Sequence, residues 1–396
     1  MTKTYNTSTT PVNTELPKDL VCFSHLRWNF VYQRPQHLLS RFAKKFRVFF
    51  IEEPLWQESA DTLQLTLTDE NVFVVIPQLQ SGENSHSIDD RIYSLITRLF
   101  QQLEIRRFVA WYYTPMALSF SEKFKPEITI YDCMDELSAF KFAPPQLKEL
   151  EAALMKKADV VFTGGHSLYE AKKDKHPNIH PFPSSIDKDH FNRARLNTSE
   201  PADQKSIPHP RFGFYGVIDE RMDIQLIGEV AEQKPDWHFV IIGPVVKIDP
   251  ATLPRHSNIH YLGGKSYNEL PSYLGGWDIA IIPFALNEST RFISPTKTPE
   301  YLAGGKPVIS TSIRDVVNPY ATQELVHIAD DASKFIAAAT SELKTTDKSS
   351  WLKKTDQFLA NVSWDKTWEK MMDLIHDCVH SKQITTTTKT KEKLYV

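Results

Sequence analysis

The sequence predicts an α/β protein built from two doubly wound domains, and three observations carry that prediction. Short apolar, β-branched runs alternate with amphipathic segments along almost the whole chain, the pattern of parallel strands covered by helices. The alternation falls into two blocks, parted by a polar, proline-bearing stretch between Arg193 and Pro210. The 396 residues exceed one ordinary core and suit two.

Residues 1–17 are polar and threonine-rich and are expected to be disordered. In the first block, residues 18–195, the runs Leu20–Phe23, Val48–Ile51, Val72–Ile76, Phe108–Trp111, Ile128–Tyr131 and Val160–Phe162 read as strands. Gln36–Phe46, Arg91–Leu103 and Pro145–Lys157 carry the apolar spacing of helices between them. The second block, residues 206–350, restarts at Phe212-Gly213-Phe214-Tyr215-Gly216. Its strands are expected at His238–Ile242, Ile259–Leu262, Ile279–Pro283, Val308–Ser310 and Leu325–Ile328, and its helices at Asp223–Gln233, Tyr267–Leu274, Pro295–Ala303 and Ala332–Leu343. Residues 364–380 hold the apolar positions of a further helix, and 381–396 read as a disordered tail. Two such sheets place their strand carboxyl ends across a cleft, where ligands bind.

Composition excludes several classes. A net charge of −3 and a pI near 6.5 give no general attraction to nucleic acid. Cys22, Cys133 and Cys378 are far apart and odd in number, which suits reduced cytosolic thiols rather than a disulfide or zinc framework. Neither a signal-peptide core nor an apolar run of membrane-spanning length is present, so a cytoplasmic protein is expected. The basic stretch Arg41–Arg47 leaves peripheral membrane contact open, or is an ordinary helix end.

The richest segment runs from Ser294 to Ser310. Ser294 can cap a helix whose first position Pro295 suits, and Gly304-Gly305 ends it before the strand Val308–Ser310. Lys297 puts a cation at the positive end of that helix, which makes sense if an anion is shared there with free N–H groups. Glu300 lies one turn on, on the same face. A cation for phosphate beside a carboxylate for sugar hydroxyls describes a nucleotide-sugar site; a solvated Lys–Glu pair is the alternative.

With these residues in place, the chain resembles the GT-B glycosyltransferases, specifically those of glycosyltransferase family 4, or group 1. Gly216, Ile241-Ile242-Gly243-Pro244, Asn258–Gly263, Asp278–Phe284 and the Lys297/Glu300 helix follow the family's order. Pro183-Ser184-Ser185-Ile186-Asp187 with Phe191 is similar to its Pro-Asn-Gly-Val-Asp…Phe element, and Trp364 to the start of the C-terminal helix that crosses back onto the first domain. The resemblance implies a GT-B enzyme moving sugar from a nucleotide donor, UDP-linked by preference, to a glycan or lipid-linked acceptor in surface-polysaccharide synthesis, with retention and without a metal or other cofactor. Two departures stand out. Phe292 occupies the first position of the family's Glu-x7-Glu pair, of which Glu300 would be the second, and Ser184-Ser185 replaces Asn-Gly.

The same resemblance distributes the site residues. Donor contacts are expected from Gly216, Arg221, Lys247, Ser294, Pro295, Thr296, Lys297 and Glu300, with Glu300 on the ribose hydroxyls and Lys297 and Arg221 stabilising the leaving diphosphate. Arg221 could instead pair with Asp219 or Asp223, and Lys247 could be a solvated lysine. In the first domain, His25, Trp28 and Arg34 stand in a dense aromatic and polar loop after the first strand; they line the acceptor side, or Trp28 merely packs on a helix. Asp132 and Asp135 end another strand, as acceptor-orienting groups or base, or as a helix cap. His166, after Gly164-Gly165, is a contact for the transferred sugar or a plain cap. Other readings of the chain are a nucleotide-sugar 2-epimerase on the same architecture and a non-catalytic homologue, which Phe292 favours.

Overall fold

The computed structural model describes residues 15–82, 85–196 and 199–394. Residues 1–14 of the expected disordered N-terminus lie outside them, as do Asn197 and Thr198 of the expected linker.

The first sheet is built from β1 (Asp19–Phe23), β2 (Arg47–Ile51), β3 (Leu55–Gln57), β4 (Thr62–Leu67), β5 (Val72–Gln80), β6 (Phe108–Tyr112), β7 (Ile128–Cys133), β8 (Val160–Thr163) and β9 (Ile179–Pro181). Its order is β3-β5-β2-β1-β6-β7-β8-β9, with β4 antiparallel on β5 and the other pairings parallel. The second sheet has the order β12-β11-β10-β13-β14-β15 and is parallel. Its strands are β10 (Arg211–Tyr215), β11 (His238–Ile242), β12 (Ile259–Tyr261), β13 (Ile279–Ile282), β14 (Val308–Ser310) and β15 (His327–Ile328). In both sheets the strand order reverses beside the first strand, so the loops after β1 and after β10 open at the switch points.

The strands that sequence reading recovers are β1, β2, β5 to β8 and β10 to β15; of these, β1, β2, β6, β7, β8, β10, β11, β13 and β14 are buried almost throughout, and burial on both faces is what makes them continuous apolar runs. The unforeseen β4 lies at the sheet edge, with Leu65 and Leu67 exposed.

One face of the first sheet is covered by the helices Ile88–Gln102 and Leu147–Lys157, the other by Arg34–Phe42 and the long helix Trp364–Leu394. From the latter, Trp364, Met371, Met372, Ile375 and Val379 enter the first domain's core. That helix continues to Leu394, where composition suggested a disordered tail from residue 381. Once the packed part has nucleated a helix, each further residue adds a bond at little cost.

The expected domain boundary also moves. Phe191 and Ala194 of the helix Lys188–Leu196 belong to the second domain's core, together with Ile186 and Ile207. The chain therefore crosses between domains just after Phe182, upstream of the polar stretch, and crosses back at Trp364, whose N–H donates to Ile186 O at 3.2 Å. Among the described residues, no helix is long and apolar enough to cross a membrane.

Candidate active site

Between the two sheets lies a cavity of about 1090 Å³, floored by the carboxyl ends of β10 and β11 and roofed by the loop after β1. Its second-domain wall comes from two glycines and one helix. Gly216 ends β10 with φ +144°, and Gly243 ends β11 with φ +146°. A Cβ on Gly243 would overlap the Gly216 carbonyl. One on Gly216 would stand 2.5 Å from Lys297 Cε and 2.7 Å from its Nζ, so the lysine lies directly across this backbone.

The helix begins at Lys297 and ends at Gly304. Its start is two residues later than expected, and Ser294 does not cap it. Ser294 instead meets the segment that crosses between the domains, accepting at its carbonyl from Ser184 Oγ at 2.6 Å. Pro295 and Thr296 form the turn before the helix; Thr296 and Lys297 line the cavity, while Thr298 N–H donates to Pro295 O at 3.3 Å and Pro299 has no N–H, which leaves the Lys297 N–H as the first-turn donor toward the cavity.

Lys297 Nζ lies 5.3 Å from the Phe214 ring centroid and 5.5 Å from that of Phe284. Burial, then the Arg221 guanidinium, hold this ammonium below the usual lysine range. Glu300 is 6 % exposed and accepts from Tyr215 Oη at 2.8 Å. Burial raises its carboxyl, against the opposing pull of Tyr215 and Lys297. Arg221 lines the cavity too, while Nε and Nη2 grip Asp219 at 2.9 and 2.7 Å. The pairing with Asp219 is therefore present, and the side chain still borders the cavity.

Beyond Glu300 the cavity meets a stack of rings that sequence reading did not single out. Tyr267 is sandwiched between His190, at 4.1 Å and 7°, and Tyr32 from the first domain, at 4.5 Å and 25°. The Tyr267 hydroxyl is buried without a partner. Its sequence signal was position: Tyr267 follows β12 at the same sheet edge as Gly216 and Gly243. The chain also contains one Asp-x-Asp spacing, Asp187-Lys188-Asp189, which the expectation of a metal-free site passed over. Asp187 lines the cavity and caps a helix, accepting from His190 N at 3.3 Å. Among the described residues, no group of three or more His, Cys, Asp or Glu side chains is placed to hold a metal ion.

The first-domain candidates fare differently. Arg34 and Asp132 do not face the cavity; they form a buried bidentate pair, Nε to Oδ2 at 3.0 Å and Nη2 to Oδ1 at 2.8 Å, with Arg34 Nη1 donating to Phe182 O at the domain crossing. An ion pair sealed from solvent is a structural tie, so the base role for Asp132 falls away. Trp28 is 5 % exposed and packs edge-on against Phe50 of β2, a strand rather than the helix the alternative named, while still bordering the cavity.

His166 is exposed at the start of the helix His166–Lys172, away from the cavity. Its N–H and that of Ser167 donate to Asp315 of the second domain at 2.9 and 3.0 Å. Gly165 is needed for that approach, because a Cβ would overlap Asp315 Oδ2. Phe292 is partly buried and packs against the first domain's core.

His25, Asp135 and Lys247 gather outside the cavity's lining, at the domain interface. Burial pushes Asp135 up to about 6, although Arg221, Arg34 and Lys247 pull it down. Burial, aided by Lys247, pushes His25 down to about 4, so it is neutral at pH 7. Phe140 of the first domain sits between Arg221 and Lys247, with ring centroid distances of 5.7 and 5.3 Å.

This arrangement offers two cations and the Lys297 N–H for a diphosphate, then a carboxylate for vicinal hydroxyls, then rings for a base. Comparison with known proteins bears on the fold and on the second domain. Residues 210–345 match the family model for glycosyl transferases group 1. A putative teichuronic acid biosynthesis glycosyltransferase of Bacillus subtilis is 25 % identical over 285 residues, covering 66 % of this chain and 70 % of the relative. Sucrose-phosphate synthase of Thermosynechococcus elongatus aligns with TM-score 0.65 at 13 % identity, over 92 % of this chain and 100 % of that one. Anabaena HepE in complex with UDP aligns with TM-score 0.62 at 10 % identity, over 91 % and 100 %. The fold is GT-B.

Proposed function

We propose that this chain, with a GT-B fold and a second domain of the glycosyl transferases group 1 type, moves a hexosyl unit from a UDP-sugar to a glycan or lipid-linked acceptor. One observation supports the reading above the others: Lys297 lies across Gly216 at the sheet's open edge, one turn from a buried Glu300 held by Tyr215. Lys297, with its own backbone N–H, and Arg221 take the diphosphate, and Glu300 accepts from the ribose hydroxyls. Gly216 lets the backbone approach the phosphates.

Transfer is retaining. The bond from C1 to the phosphate oxygen breaks as the acceptor oxygen bonds C1 on the same face, and the acceptor proton passes to the departing phosphate. Lys297 and Arg221 stabilise the charge that develops there, and no metal is required. Asp135 and His25 stand on the acceptor side of the phosphates. The B. subtilis relative's name supports a place in surface-polysaccharide synthesis; we propose that the reaction runs in the cytoplasm, against the inner face of the membrane.

The direct experiment follows UDP release from a panel of UDP-hexoses with and without carbohydrate acceptor. Lys297→Ala should lower donor affinity and kcat together, and Glu300→Gln should chiefly raise the donor KM, by about tenfold for one charge-assisted hydrogen bond. Wild-type kinetics in both variants would sink the assignment. Phe292, which stands in place of the first carboxylate of the pair and packs, partly buried, against the first domain's core, favours a non-catalytic second reading; absence of donor turnover would select it.

A further inference from the structure

The two domains meet strand end to strand end, and one contact between them is charged and directional. β8 of the first sheet runs through Gly164-Gly165 into the helix His166–Lys172, and β14 of the second leads to the short helix Arg314–Val317. Asp315 Oδ2 accepts from the His166 N–H at 2.9 Å, and Oδ1 from the Ser167 N–H at 3.0 Å. Asp315 is 5 % exposed and Ser167 1 %, so water does not compete for these bonds. The carboxylate also meets the positive end of the first-domain helix. Tyr32 on Tyr267, and Phe140 over Arg221 and Lys247, are ring contacts that tolerate sliding; two N–H donors on one carboxylate do not.

Two glycines make the approach possible. A Cβ on Gly164 would overlap the Met134 carbonyl within the first domain. One on Gly165 would overlap Asp315 Oδ2 and stand 2.8 Å from Ser294 Cβ, both outside the first domain. Gly165 is extended, with φ −171° and ψ 170°, so its backbone accepts an alanine and the seam alone refuses the methyl. Ser294 stands three positions before Lys297. Ser184 of the crossing segment holds it too, Oγ donating to Ser294 O at 2.6 Å and N–H to Ser294 Oγ at 3.4 Å. The first-domain helix, the crossing segment and the approach to Lys297 therefore converge on one residue.

We infer that Asp315 is a positioning residue for sugar transfer: its carboxylate docks the first domain's helix against the segment leading to Lys297, and so fixes the wall that carries Trp28 and Tyr32 over the donor half of the cavity. The inference rests on the donor reading above for its reaction. Asp315 itself does not line the cavity. The donor groups Gly216, Arg221, Lys297 and Glu300 all belong to the second domain, so UDP binds without the dock. Alignment of the two walls depends on it, and a misplacement of about 1 Å between reacting groups costs roughly 100-fold in rate.

The test uses the full chain and the variants Asp315→Ala, Gly165→Ala and Asp315→Asn, the last of which keeps the side chain's shape and one acceptor oxygen. Calorimetry reads UDP affinity, UDP release from UDP-hexoses reads turnover, and small-angle X-ray scattering reads the domain arrangement. Asp315→Ala and Gly165→Ala should lower turnover roughly 10- to 100-fold and raise the radius of gyration, while UDP affinity stays unchanged. Asp315→Asn should fall between them and the unaltered chain. Unchanged turnover or an unchanged radius of gyration in the first two variants would overturn the inference. An equal fall of turnover and UDP affinity would also overturn it, since that marks a merely structural role. Failure of the unaltered chain to bind UDP would overturn the donor reading instead, and the radius of gyration would still decide whether Asp315 docks the domains.

Discussion

Gly216→Ala separates the site's chemistry from its scaffold. The added Cβ would stand 2.5 Å from Lys297 Cε and 2.7 Å from Nζ, at a backbone φ of +144°. Two effects follow, of different size and place. The backbone conformation costs about 1–3 kcal/mol for a residue with a side chain, which lowers the second domain's melting temperature by a few degrees. The clash is with the far end of a flexible side chain, so the fold yields by turning Lys297 away. Losing a hydrogen bond from a charged group costs about 1.5–3 kcal/mol, or roughly 10- to 150-fold in nucleoside diphosphate affinity.

A double-mutant cycle with Lys297→Ala, read by calorimetry with UDP, tests the reasoning. Once the lysine is gone, Gly216→Ala should add little to the affinity loss, because both changes remove the same contact. Strictly additive losses would show that Gly216→Ala acts through the backbone alone and would refute the role given to Lys297. Gly243→Ala is the contrast, since its Cβ meets the Gly216 carbonyl rather than a mobile side chain; it should lose folded protein before it loses affinity.

Three further outcomes are expected. UDP affinity should pass through a maximum with pH. The Glu300 carboxyl is raised, so its ionised, ribose-accepting form is lost as pH falls at a higher pH than for an ordinary carboxylate. Lys297 is lowered, so its phosphate-binding form is lost as pH rises at a lower pH than for an ordinary lysine. Glu300→Gln should erase only the acid limb, and persistence of that limb would reject the assignment. Arg34→Ala should destabilise the first domain by about 3–5 kcal/mol, because it leaves Asp132 buried at 0 % exposure and unpaired. Urea unfolding measures this, and a stable but inactive variant would return the pair to catalysis. Phe292→Glu should lower thermal stability without raising turnover, since it puts a charge against the first domain's core rather than beside the donor. A gain in activity would contradict that placement.

The second domain was legible because its strands are buried on both faces and its nucleotide-facing features sit at strand ends: Gly216, Gly243 and the Lys297–Glu300 turn. What escaped sequence reading depends on contacts between distant parts. Arg34 and Asp132 are 98 positions apart, and nothing local marks them as partners. Ser294 fits an N-cap by composition, but Ser184 of the interdomain crossing bonds to it and the helix starts later. The Asp315 bond to His166 and Ser167, the Tyr32–Tyr267 stack and the seat of Phe140 between two cations exist only once the domains face each other. β4 was within reach, because Thr62–Leu67 alternates polar and apolar residues as an edge strand should.

Calorimetric titration of UDP, GDP, ADP and CMP, each with EDTA and again with magnesium, tests the central claim most directly. The account predicts that UDP binds in EDTA as well as in magnesium, and that Glu300→Gln loses this binding. No binding by any of the four nucleotides, or binding that appears only with magnesium, would contradict it.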